Sequence, residues 1–108
     1  MLYKFKSRAA ADLIMLEPNG RRVLQIIGKH TDDRRGILQP QDMPAAIAAL
    51  EAAIMQDEAE RRTAEAEARE HGEELPPDHA VTLRQRAAPF IEMLRRCEKA
   101  GKEIVWGV

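Results

Sequence analysis

The sequence predicts an α+β domain: a small, mostly antiparallel sheet built from an N-terminal hairpin and a C-terminal strand, covered on one face by three helices. The last two helices should form a long antiparallel hairpin. Three observations predict this class. Leu2-Tyr3-Lys4-Phe5-Lys6 alternates with period two, the mark of a half-buried strand. Met43, Ile47, Leu50 and Ile54 recur at the spacing of a helix face. The 108 residues hold 17 alanines but only 31 larger apolar side chains, which is material for one core and not for two, so residues 1–108 read as a single domain.

The elements follow in order. Strand 2–6 puts Tyr3 and Phe5 on one face and the lysines on the other, where they would also guard a sheet edge. Asp12 to Leu16 reads as the second strand, with Ser7 to Ala11 as the hairpin connection; the alanines at 9, 10 and 11 leave a helical turn open as an alternative. Pro18 opens a short helix with Val23, Leu24 and Ile27 on its apolar stripe, ended by Gly28. Residues 29–41 are loop-like, with Ile37-Leu38 either a stub of strand or a plug. Asp42 is a good N-cap for the helix that carries the 43/47/50/54 stripe, with Pro44 in its first turn.

Helical composition continues to His71 without another large apolar residue, and a helix from Met43 to His71 would run about 43 Å. Its distal part is expected to project as a solvated acidic arm and linker at about 57–79, supported by pairs such as Glu58 with Arg62 and Glu65 with Arg69. Beyond the Leu75-Pro76-Pro77 break, Leu83, Ala87, Phe90, Leu94 and Cys97 trace the third helix, in which Pro89 should introduce a kink. Gly101 is its expected C-terminal cap, and residues 103–106 read as the closing strand, with Trp106 completing the core or lying exposed beside Tyr3.

Composition excludes several function classes. Charged residues are 32% of the chain but cancel to −1, so a general nucleic-acid binder is not expected. The charge is uneven: residues 1–35 sum to +4, 36–78 to −8 and 79–108 to +3. That pattern suits an acidic helix facing basic surface in the same chain or a neighbour. The most apolar helical stretch, Pro44 to Met55, contains Glu51 and is far short of the ~20 residues that cross a bilayer. The N-terminal apolar run is split by Asp12, unlike a secretory leader, so a cytoplasmic chain is expected. Cys97 is the single cysteine, which precludes an internal disulfide.

The opening Met1 to Ser7, the segment Ile14 to Asn19, the stretch Met43 to Ala52, Leu83 to Ala87 with Pro89, and the ending Gly101 to Val108 together resemble a family of small bacterial proteins known as domain of unknown function number 1840. The likeness spans nearly the whole chain apart from about Asp57 to Ala80. It implies a stand-alone small cytoplasmic protein and carries no catalytic residue, ligand or cofactor with it.

No catalytic set is apparent in the sequence. Ser7 is the only serine and lacks a neighbouring histidine, and Cys97 lies on an apolar stripe where burial would raise its pKa. His71, Glu73, Glu74, Asp78 and His79 could take up a divalent metal adventitiously, but read better as a polar linker, so no metal or cofactor is expected. Leu16 to Arg22 is more informative. A strand running into a helix whose first turn holds Asn19, Gly20, Arg21 and Arg22 could offer backbone N–H groups and guanidinium forks to a phosphate or carboxylate, with Arg84 and Arg86 as further cations. Two functions follow: a non-catalytic module that binds a protein partner or itself as a homodimer, and, as the alternative, a sensor of an anion or nucleotide-type ligand.

Overall fold

The computed structural model describes residues 2–29, 35–73 and 82–107. In chain order the elements are β1 (Leu2–Ser7), β2 (Ala10–Leu16), α1 (Glu17–Ile26), β3 (Gly36–Leu38), α2 (Met43–His71), α3 (Leu83–Ala100) and β4 (Ile104–Trp106), with a 3-10 turn at Pro40–Asp42. The four strands form one sheet in the order β2-β1-β4-β3, and every neighbouring pair is antiparallel. The α+β class holds, with a fourth strand added by the Ile37-Leu38 stub.

The hairpin is tighter than the five-residue connection the sequence suggested. Ser7 pairs with Ala10 after a register shift between Phe5 and Ser7, leaving a two-residue turn at Arg8-Ala9. The Ser7 hydroxyl accepts a hydrogen bond from the Ala9 N–H at 3.3 Å, so the local turn and the strand ladder together outweigh the helix preference of the alanines. The strand period sorts the faces. Phe5, Met15, Leu38, Ile104 and Trp106 point into the core, while Leu2, Ile14, Leu16 and Ile37 stand on the other face. β4 lies beside β1 with Phe5 opposite Trp106, so β1 is an interior strand and its lysines guard no edge. The long edge of the sheet is β2.

Helices α1, α2 and α3 contribute Val23 and Leu24, then Met43, Ala46, Leu50 and Ile54, then Leu83, Ala87, Phe90, Met93, Leu94 and Cys97 to the core. Phe5 sits at the centre, with Phe90 edge-on at 4.8 Å and Trp106 at 5.7 Å between ring centroids. Trp106 is buried, so the exposed alternative is not realised. On α2 the buried stripe runs through Ala46 rather than Ile47, which is only half-buried. Asp42 precedes α2 but caps nothing with its side chain: the 3-10 turn has already given it helical dihedrals, so its carboxylate is not turned onto the helix N–H groups.

Helix α3 runs unbroken through Pro89 from a Thr82/Gln85 capping box to Gly101, which takes the left-handed conformation at φ 68°. Ion pairs Glu51–Arg95 and Glu58–Arg84, both at 2.6 Å, show that α2 and α3 are antiparallel. Glu58 thus hydrogen-bonds across the hairpin to Arg84, while Arg62, the partner expected along α2, favours its charged form at longer range. α2 continues to His71 and stops at Gly72, and Ala68 on its distal part is buried. Residues 30–34 and 74–81, and with them the end of the expected arm and linker, lie outside the described residues. No helix is long and apolar enough to cross a membrane among the described residues.

Candidate interaction surface

The residues expected to hold an anion fall at the meeting of α1, α2 and α3. Gly20 is buried in α1 because the helix lies down on β1 there: a Cβ at this position would come within 2.7 Å of Cγ of Tyr3. That contact orients the first turn of α1 toward α3, where Arg86 donates to the Asn19 side-chain oxygen. Arg21 pairs back along its own helix with Glu17 at 2.9 Å. Arg22 approaches Asp57 of α2 at 3.7 Å, and Arg84 holds Glu58. The fold therefore joins Asn19 with Arg86, brings Arg22 and Arg84 to adjacent acids of α2, and leaves Arg21 on α1. Each of these four guanidinium groups meets an oxygen of this chain.

The central group of this junction is one the sequence analysis passed over. The Asp57 side chain is 13% exposed, accepts from Arg61 at 3.0 Å and accepts from the N–H of Leu83, the first residue of α3, at 3.3 Å. Burial alone would raise its carboxyl pKa. The hydrogen bonds from Arg61 and Leu83 and the charges of Arg61 and Arg22 outweigh that cost and hold it below its ordinary value. Glu58 is likewise lowered, first by its hydrogen bond from Arg84. The signal for Asp57 was present in the sequence, because 57 and 61 continue the 50/54 stripe one and two turns further. An acid and a base continuing a buried stripe mark a partly buried ion pair rather than a solvated face.

The opposite side of the molecule carries a different surface. Leu2 and Leu16 face each other across β1 and β2 and are each 62% exposed, and Ile14, two residues along β2, is 55% exposed. Lys4, opposite Ile14, is drawn toward Asp12 at 3.6 Å. Further across the same face Ile37 of β3 is paired with half-buried Val105 of β4. Along the β2 edge, Ala10 to Leu13 and the α3 residues Pro89, Glu92, Met93 and Arg96 border a shallow groove. Among the described residues no group of three or more His, Cys, Asp or Glu is placed to hold a metal ion, and the cluster expected around His71 and His79 lies largely outside them.

Fold and surface define a small α+β protein whose polar junction is self-satisfied and whose open sheet face carries an aliphatic cluster beside Lys4, Lys6 and Asp12. The chain belongs to the family described as Domain of unknown function (DUF1840), whose model matches residues 1–106. Comparison with curated proteins gives no match, and comparison with solved structures gives none.

Proposed function

We propose that this chain is a non-catalytic protein-interaction module acting in the cytoplasm, and that its working surface is the β2 edge with the open sheet face beside it. The observation that carries this is the cluster of Leu2, Ile14 and Leu16, three large aliphatic side chains each more than half exposed in adjoining register positions at the rim of the sheet. Burying such side chains contributes roughly 1.5–3 kcal/mol each, so a fold that leaves three together in water gains most by covering them. The alternative, an anion sensor using Asn19 to Arg22 with Arg84 and Arg86, has a less favourable balance. An incoming phosphate would have to displace Asp57 and Glu58 from their arginines.

Photo-crosslinking in the producing cell tests the module. A photoreactive residue at position 14 is expected to trap discrete protein adducts that vanish when Leu2 and Leu16 are both replaced by Lys. The same probe at Gln25, exposed on α1, is the control. Equal adducts from positions 14 and 25, or none from 14, would refute the assignment.

A further inference from the structure

We propose that the occupant of this surface is a second copy of the chain, added edge to edge so that β2 pairs antiparallel with the partner's β2 and α3 lies beside the partner's α3; the inference rests on the interaction-module reading above. The two edges of the sheet differ in a way that selects β2. β3 is three residues long and is followed at once by the turn that begins at Pro40, the usual form of a blunted edge. β2 has seven residues, about 24 Å at strand rise, with no proline or lysine, and half of its N–H and C=O groups face away from β1. Its single charge, Asp12, is drawn to Lys4 on the neighbouring strand, so it does not defend the edge.

A two-fold interface must be complementary to itself. β2 meets that condition most directly on the open face: antiparallel pairing centred on Ile14 sets Ile14 against its copy with Asp12 beside the partner's Leu16, and on the helix side it brings half-buried Leu13 next to the partner's buried Met15. Helix α3 meets it by charge. Glu92 and Arg96 lie one helical turn apart, both exposed on the rim of the groove along β2, and neither has an ion-pair partner among the described residues. A two-fold axis through the paired β2 strands turns α3 antiparallel to its copy. Glu92 then faces the partner's Arg96, and Arg96 the partner's Glu92. The pair sums to zero charge, so it favours neither an acidic nor a basic foreign partner but fits its own inverse.

Sedimentation equilibrium on the full chain from about 1 μM to 1 mM should show the mass rising from 12.2 kDa to twice that value. Glu92→Arg and Arg96→Glu, each checked for an unchanged melting curve, should weaken the dimer about tenfold or more by setting like charges together twice. The double exchange E92R/R96E should restore it. Hydrogen exchange supplies a readout that does not depend on variants: the outward amides of β2 should become protected as concentration rises, while those of β3 should not. A monomer at 1 mM, dimerisation indifferent to both charge reversals, or β2 amides equally exposed in monomer and dimer would each overturn the proposal. If the monomer nevertheless yields heterologous adducts from position 14, the module stands and only the second copy falls. Absence of both removes the module as well.

Discussion

Replacing Asp57 separates a designed junction from an incidental surface ion pair. The capping box at Thr82 uses the Gln85 N–H and the Thr82 N–H, which leaves the first helical donor, Leu83 N–H, to the Asp57 carboxylate from another helix. Losing a cap of this kind costs about 1 kcal/mol, and the Arg61 pair at i, i+4 adds about 0.3–0.5 kcal/mol. Asp57→Ala should therefore destabilise by about 1–2 kcal/mol. Asp57→Asn, which retains an acceptor oxygen but no charge, should lose about half of that. The sign of the pH dependence follows from the lowered folded pKa. The charge-dependent part is fully present above the unfolded carboxyl value of 3.8 and is lost as pH falls through the lower folded value. Urea unfolding of the wild type and Asp57→Asn at pH 7 and about pH 3 measures it, with the gap expected to narrow at the acid end. Two equal gaps would show that charge is not its source, and a loss under about 0.3 kcal/mol for Asp57→Ala would show that no cap operates between α2 and α3.

Two further substitutions probe the core. Leu50→Ala removes a fully buried side chain from the middle of the α2 stripe and should cost about 2–5 kcal/mol in urea unfolding, whereas a loss under about 1 kcal/mol would place Leu50 outside the core. Gly36→Ala drives a Cβ into the Trp106 indole, which is itself buried, and should cost about 1–3 kcal/mol with a changed near-ultraviolet tryptophan signal; an unchanged signal and stability would show that the ring does not lie over Gly36.

What the sequence conveyed depended on how many residues reported each feature. Met43, Leu50 and Ile54 of the α2 stripe, the Gly101 cap and the buried Cys97 each follow from spacing along one helix, and the structure has all of them, with Ala46 taking the place expected of Ile47. β3 offers only Gly36-Ile37-Leu38, too short for a period to be read, and it becomes a strand only because β4 provides a partner. The edge was misplaced for a similar reason. Alternation in Leu2 to Lys6 gives a face, but which strand lies outside is decided by where Trp106 lands, about a hundred residues later. At the polar junction, residue types suggested cations awaiting a ligand. The acids that meet them, Asp57 and Glu58, lie just past the apolar stripe of α2, where the charged composition masks that 57 and 61 continue it.

Those acids also bear on how the two sides of the molecule divide their roles. Asp57 and Glu58 engage Arg22 of α1 and Arg84 of α3, and Glu51 engages Arg95, so three acids of α2 help to join α1, α2 and α3 within one chain. The sheet is different, because helices cover one face only, and among the described residues nothing covers Leu2, Ile14 and Leu16 on the other or pairs with the outer side of β2. The ion pairs thus lie at the borders between helices, while the sheet leaves apolar surface and backbone hydrogen bonding uncovered at one strand. A partner that satisfies both must itself present a strand with aliphatic side chains on each face, and β2 is such a strand.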